Sequence, residues 1–428
     1  MTSVWQNSNA NSAIVNTILA SPSVHNPSVY STKEITPPHA ITWSNLDPSG
    51  GGPSTQGISG SSTTFQLSKF GIIEQILLTY SKVGTKADGT AGEVKVFAGD
   101  PFKCIQRIDL LSSSRVVSSL SVETLMAQFS NLSASQASPI YTAALNSRTS
   151  AALSHQFCLP VVFPLLGEIG TQLNSTFLEP MTVQVHWKDV SGFKAAGGAA
   201  DATAAQINGM SLNIRYKNYP EESTSQILAS NFAAPELNML SSTWYVENTD
   251  SHVVTAGDVA AKYFDVVVDL KNTDAVEEFY VVSRAMLGGT DNTSENPLLN
   301  IESMNFTGSG QEIFNLTAAQ MQYAKLTSNG FATAGIGESG PTGGMTQVRL
   351  DHVKCFQTGR YADSPGTTPV MSNCLSLREV NAPRMRVRVA LGTAEIAGTV
   401  VETTLCERCL AIYAVSSSTG RLTLALSN

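Results

Sequence analysis

A stretch of 21 residues occurs twice in the chain without a gap. Residues 105–125 read Ile-Gln-Arg-Ile-Asp-Leu-Leu-Ser-Ser-Ser-Arg-Val-Val-Ser-Ser-Leu-Ser-Val-Glu-Thr-Leu, and residues 301–321 read Ile-Glu-Ser-Met-Asn-Phe-Thr-Gly-Ser-Gly-Gln-Glu-Ile-Phe-Asn-Leu-Thr-Ala-Ala-Gln-Met, 196 positions later. Few letters agree, but physical classes do: Ile105/Ile301, Ile108/Met304, Asp109/Asn305, Leu110/Phe306, Val117/Ile313, Leu120/Leu316 and Ser121/Thr317. Asp100-Pro101 before the first copy answers Asn296-Pro297 before the second. A chain written twice must fold as two similar modules, and 428 residues suffice for two cores at about 100–200 residues per domain.

Two further pairs extend the duplication. Met181-Thr-Val-Gln-Val-His lies over Met385-Arg-Val-Arg-Val-Ala at an offset of 204, and Leu212-Asn-Ile over Leu410-Ala-Ile at 198. Offsets this close confine insertions to loops. In both Met-led runs every second residue is apolar, the period of a strand with one buried face, which points Gln184 and Arg386 outward.

Between these anchors, short β-rich runs alternate with turn clusters: 72–80, 93–98, 105–111, 116–120, 157–163, 181–187 and 212–216, then 263–270, 277–284, 299–306, 311–316, 347–356, 374–380, 385–391 and 406–415. That spacing predicts an all-β sandwich or barrel in each half. Helix is scarce. Thr317-Ala-Ala-Gln320 is a capping box opening a helix, and Ser121-Val-Glu-Thr is its weaker copy. A second helical candidate, residues 223–240, falls between the modules as an interdomain connection. Residues 1–60, rich in Ser, Asn, Pro and Gly, read as a flexible N-terminal arm, within which residues 13–20 could form a short amphipathic turn. Loops at 130–154, 192–209 and 328–344 are long enough to carry function or disorder.

Chemistry-bearing motifs are few. There is no Gly-x-Ser-x-Gly elbow, His-Glu-x-x-His, P-loop or dinucleotide-binding glycine fingerprint. Gly308-Ser-Gly310 superficially suggests a phosphate loop, but its counterpart is Ser112-Ser-Ser114, so a hairpin turn is expected. Cys406-Glu-Arg-Cys409 has the spacing of a zinc knuckle, with His352, Cys355 and Cys374 as possible completing ligands. It runs straight into Leu410-Ala-Ile-Tyr-Ala-Val, where residues three apart face opposite sides of a strand. The six cysteines, 104, 158, 355, 374, 406 and 409, therefore read as free thiols rather than a disulfide framework. The six histidines, 25, 39, 155, 186, 252 and 352, fall at no ligand spacing. Sequons at Asn305 and Asn315 read as chance matches, Thr317 being already a helix cap. Arg384, Arg386 and Arg388 put three cations on one strand face, either a solvated surface or an intersubunit contact with an acidic strand such as Glu277-Glu278. No catalytic, cofactor-binding or metal-binding residue is assigned.

The remaining bulk properties exclude partners. With 26 basic against 34 acidic residues the net charge is −8, and the arm holds a single Lys, Lys33, so no basic surface marks direct nucleic-acid binding. No run of eighteen apolar residues spans a membrane, and the first residues lack a secretory pattern, so use without Sec export is expected.

Two sequential all-β modules with eight or so strands each, a short helix within each module, long loops and a polar arm resemble the double jelly-roll major capsid proteins of adenovirus, large cytoplasmic DNA viruses and tailless membrane-containing bacteriophages. The echo is clearest in residues 104–126, a strand-turn-strand-helix segment, and in the ending, Arg384-Met-Arg-Val-Arg-Val followed by Cys409-Leu-Ala-Ile-Tyr-Ala-Val. The resemblance implies an all-β fold of two tandem eight-stranded jelly rolls, with the arm at 1–60, the first jelly roll at 61–220, the connection at 221–245 and the second jelly roll at 246–428. It also implies a non-enzymatic homotrimer of pseudo-hexagonal outline that tiles an icosahedral shell, without cofactor. The implied partners are neighbouring capsomers, penton and minor capsid proteins, and an internal lipid membrane touched by the arm, with assembly inside the host cell into the virion. Three two-domain subunits present six similar domains around a threefold axis. The competing expectation is a tandem β-sandwich carbohydrate-binding or adhesin protein, disfavoured by its dispersed tryptophans, Trp5, Trp43, Trp187 and Trp244. A cupin-like enzyme would need a metal triad that the sequence does not display.

Overall fold

The computed structural model describes residues 40–49, 55–56, 62–96, 102, 104–130, 148–152, 154–167, 175–188, 204–218, 236–247, 250–286, 299–320, 345–349, 375–392 and 396–427. The first half contributes eight principal strands: β1 (Ala40–Leu46), β2 (Ser62–Gln66), β3 (Ile72–Thr85), β4 (Ile105–Ser112), β5 (Arg115–Ser121), β6 (Ser154–Pro160), β7 (Met181–Trp187) and β8 (Ala204–Asn218). The second half repeats them as β9 (Glu236–Val246), β10 (Tyr263–Asp269), β11 (Ala275–Met286), β12 (Ile301–Gly308), β13 (Gln311–Thr317), β14 (Met345–Arg349), β15 (Arg384–Ala390) and β16 (Val400–Ser416). Sheet order is β1-β8-β3-β6 facing β2-β7-β4-β5, then β9-β16-β11-β14 facing β10-β15-β12-β13. Adding eight to each strand number converts one half into the other. Each half is thus a jelly roll, its two sheets closed over a shared core.

Alternation builds that core. Met181, Val183, Val185 and Trp187 on β7, and Met385, Val387 and Val389 on β15, are all buried. Trp187 is the pivot of the first core: its ring meets Tyr80 edge-on at 5.2 Å, and its Nε1 donates to Thr63 Oγ1 at 2.9 Å, so the polar end of a large apolar body is satisfied.

The 196-residue repeat holds at the level of single hydrogen-bonded pairs. Ile108 faces Leu120 as Met304 faces Leu316, and a bulge follows Leu110 as one follows Phe306. The turns match as well: Ser113 and Ser114 have φ of 43° and 72°, Ser309 and Gly310 of 52° and 75°. Two consecutive residues with positive φ form the tight hairpin whose twist suits the flanking strands. Gly308-Ser-Gly310 is therefore a turn. Gly308 itself is demanded by packing, since a Cβ there would lie 2.1 Å from Val380 Cγ1.

Both helix starts expected from the repeat are present. Thr317 N donates to Gln320 Oε1 at 2.9 Å and Gln320 N to Thr317 Oγ1 at 3.4 Å. In the first copy Ser121 Oγ caps Thr124 N at 3.2 Å, opening α1 (Val122–Ser130). A short α2 (Pro164–Gly167) follows β6. The third helix, α3 (Ala256–Ala261), has a full Thr255–Asp258 capping box that the sequence reading passed over.

Several expectations are corrected. Residues 40–46, placed in the arm, form β1 and pair along their length with β8. Residues 236–240, read as helix, begin β9, which pairs with β16; alternating Leu237, Met239 and Ser241 serve a strand as well as a helix face, and sheet pairing decides. Parts of two expected loops are strand, Arg148–Ala152 and the start of β8 at Ala204. Residues 377–379, inside the expected strand 374–380, form a 3-10 turn. The Met181/Met385 alignment slips by one pleat: Val183 faces Leu110 where Met385 faces Phe306, an offset of 202. Period-two alternation cannot distinguish shifts of two. Leu212 corresponds to Leu405 rather than Leu410, because Arg215 faces Trp43 as Arg408 faces Trp244. The expected turn at 13–20, the loop 328–344, and residues 223–235 of the helical candidate lie outside the described residues.

Candidate functional site

The residues singled out in the sequence do not converge. Cys406 belongs to the apolar cluster of the first jelly roll and Cys409 to that of the second, so the pair straddles β16. Burial, then the nearby Glu123 and Glu407 carboxylates, push the Cys406 thiol well up, which keeps it protonated. His352, Cys355 and Cys374 lie outside the described residues. No cluster of three or more His, Cys, Asp or Glu able to hold a metal occurs among the described residues. His186 Nε2 lies 3.0 Å from Asp109 Oδ2, which also accepts from Arg107, while Ser119 donates to Oδ1. His252 Nε2 lies 3.0 Å from Asp258 and its ring stacks on Phe264. Each histidine is thus tied to a carboxylate that also engages a neighbouring hydroxyl, Ser119 at Asp109 and Thr255 at Asp258.

The arginine strand finds its acids inside the chain. Arg384 Nε donates to Asp269 Oδ1 at 2.6 Å, Arg386 Nη2 to Asp265 Oδ2 at 2.5 Å, and Arg388 Nε to Asp265 Oδ1 at 2.9 Å. The Arg388 hydrogen bond, followed by Arg386, holds the Asp265 carboxyl below its ordinary value. The pairing is between adjacent strands β10 and β15. Glu278 is buried, accepts from Tyr280 Oη and lies 3.9 Å from Arg408.

What the structure does bring together is the junction between the halves. The outer face of β9-β16-β11 is covered by the first jelly roll rather than by solvent. Tyr280 and Val282 on β11 and Cys406 on β16 share one buried cluster with Val122, Leu125 and Met126 of α1 and Leu165 and Leu166 of α2. Trp244 on β9 packs against that cluster, its ring 5.3 Å from Tyr280. At its rim Arg284 Nη2 lies 3.3 Å from Glu123 Oε1 of α1 and 3.5 Å from Glu402 Oε2. Two hydrogen bonds tie the halves together nearby: Glu179 N donates to Gly420 O at 2.9 Å and Leu422 N to Ser112 Oγ at 3.4 Å. The continuous apolar run of β16 reports this situation, for a strand buried on both faces has no polar side to alternate with.

The junction was not named in the sequence reading, although a signal was available. Trp43 and Trp244 stand 201 residues apart, close to the repeat spacing, and each faces an arginine across its sheet.

No protein-family model and no curated protein sequence matches the chain. Solved structures do resemble it over nearly the whole length. VP54 of PBCV-1, as fitted into a reconstruction of the virophage Sputnik, is 14% identical with a TM-score of 0.62, covering 92% of this chain and 98% of that one. The Faustovirus major capsid protein is 8% identical with a TM-score of 0.57 over 89% and 91% of the two chains. The mavirus major capsid protein is 12% identical with a TM-score of 0.54 over 90% of each. At such identities the likeness establishes architecture, and the chain shares with these proteins the fold of two jelly rolls in tandem.

Proposed function

We propose that the chain is a major capsid protein, a homotrimeric tile of pseudo-hexagonal outline in an icosahedral shell. The observation that carries this reading is the strand-for-strand duplication, matched over nearly the full length of chains described as major capsid proteins. Doubling a domain lets a threefold assembly occupy a sixfold position, a use for which a catalyst has no need. The domains are the arm, now ending before β1, the first jelly roll to about residue 220, and the second from β9 onward. The work is done by packing, without a catalytic residue or cofactor. The protein would reside in the virion after assembly inside the host cell. Neighbouring capsomers, penton and minor capsid proteins are its partners, with an internal membrane facing the arm and the genome left uncontacted, as the net charge of −8 favours.

Light scattering and negative-stain microscopy test this directly. The expected species has three times the 45.4 kDa chain mass and a hexagonal outline. A monomer at every concentration overturns the reading.

A further inference from the structure

At one end of each jelly roll the connections are held together by backbone hydrogen bonds. In the first, Leu67 N donates to Met181 O at 2.9 Å, Ser113 N to Pro180 O at 3.2 Å and Ser175 N to Gly71 O at 2.8 Å. These gather the turn after β2, the hairpin between β4 and β5 and the segment before β7. The arm joins the molecule at this end too, because Ala40 at the start of β1 pairs with Asn218 at the end of β8. In the second jelly roll, Leu270 N donates to Pro383 O at 3.0 Å and Ser309 N to Asn381 O at 2.7 Å. Register makes the two ends comparable residue by residue: Ser112 faces Arg115 as Gly308 faces Gln311, and Leu111 faces Val116 as Thr307 faces Glu312. Leu67 and Leu270 hold matching places, so Lys69 answers Asn272 and Phe70 answers Thr273.

Matching backbone carries different chemistry at the two ends. Phe70 is 49% exposed and Val116 56%, with exposed Lys69 and Arg115 beside them. Their counterparts are Asn272, buried against Glu407, exposed Thr273 and Gln311, and the acid Glu312. Half-buried Lys217 at the end of β8, and Arg421 next to the Leu422 that binds Ser112, add cations to the first end. Among the described residues there, the acids are Glu179, whose Oε2 is buried, and Glu74, already 3.2 Å from Arg215. A chain of net charge −8 therefore gathers cations and large exposed apolar side chains at one end of one module. Apolar side chains flanked by Lys and Arg suit the boundary layer of an anionic bilayer. A nucleic acid would use the cations but not Val116.

We propose that this end of the first jelly roll, Lys69-Phe70 with Arg115-Val116, is a foot that seats directly on an anionic lipid surface, and that the matching end of the second jelly roll is not. This rests on the reading of a shell around a membrane, and assigns the contact to folded turns rather than to the arm alone. The foot is rigid before it meets lipid. Phe70 N donates to Ser175 Oγ at 3.0 Å, Gly71 N donates to Thr176 Oγ1 at 3.1 Å, and the Phe70 ring meets Tyr216 edge-on at 6.0 Å. Little ordering is left to be done on contact.

Flotation of the full chain with lipid vesicles tests this. The protein is expected to float with vesicles of phosphatidylcholine and phosphatidylglycerol, to stay behind with phosphatidylcholine alone, and to be released as salt screens the charges. Arg115→Gln with Val116→Glu copies the second module's own hairpin, so the fold tolerates it and the melting temperature is expected to stay unchanged. Its vesicle affinity is expected to fall at least about tenfold. Phe70→Ser weakens binding as well, whereas Lys271→Glu with Gln311→Glu, at the second end, leaves it as it was. Undiminished flotation of the Arg115→Gln/Val116→Glu variant, or binding of duplex DNA in place of the vesicles, overturns the foot. A trimer by light scattering that ignores anionic vesicles overturns the foot alone, while a monomer that floats keeps the foot and overturns the shell reading.

Discussion

Glu407 has no exposed surface on β16; its Oε2 accepts from Asn272 Nδ2 at 2.5 Å, and its Oε1 has no partner among the described residues. Burial, together with the Glu247 and Asp274 carboxylates and against the Asn272 hydrogen bond, raises its pKa from an ordinary 4.5 to about 8. Between those values the folded protein holds a proton that the unfolded chain has released. Stability must then fall as pH rises through that window, by up to ~1.4 kcal/mol per unit. Glu407→Gln keeps the shape and removes the charge. It is expected to raise the melting temperature at pH 7.5 and to leave it unchanged near pH 4, and thermal unfolding followed across pH checks both. The opposite regime holds at Arg386, which is 58% exposed. Arg386→Ala is expected to shift the urea midpoint by less than about 1 kcal/mol equivalent, because exposed ion pairs are screened.

At the scale of elements, the two matched hairpins make a comparison possible within one molecule. The second turn uses Ser309-Gly310, while the first forces Ser113 and Ser114 into positive φ, a region that costs non-glycine residues free energy. Ser113-Ser114→Asn-Gly is expected to stabilise the protein by roughly 0.5–1 kcal/mol, read from chemical denaturation. Gly71 tests the reverse. With φ of 90° and a would-be Cβ 2.8 Å from Lys217 O, Gly71→Ala is expected to cost about 1–3 kcal/mol. β7 and β15 were legible because each buries one face and so alternates, and β4, β5, β12 and β13 because the duplicated segment writes the same hairpin twice. The elements missed, β1, β2 and β9, are rich in polar residues and derive their state from pairing with β8, β7 and β16. Of the candidate surface, both helix caps could be read, since capping is local chemistry. The junction face could not, because β16 hides its register in a continuous apolar run and only cross-strand pairing reveals it.

At the scale of the whole molecule, the junction depends on a charge that neither half could bury alone. Arg284 is 6% exposed at the side chain and Glu123 12%, so removing either leaves its partner poorly solvated. Glu123→Ala is expected to split a single calorimetric transition into two as the jelly rolls uncouple, with the double variant Glu123→Ala/Arg284→Ala less affected than the additive sum. The same junction also orders events in time. β16 is among the last strands synthesised, and one of its faces is covered by α1 and α2, which end at residues 130 and 167 and so leave the ribosome far earlier than β16, which begins at residue 400. The amino-terminal module is thus a template already in place when the carboxy-terminal one completes. The second jelly roll, translated by itself, is expected to expose Tyr280, Val282 and Cys406 and to aggregate.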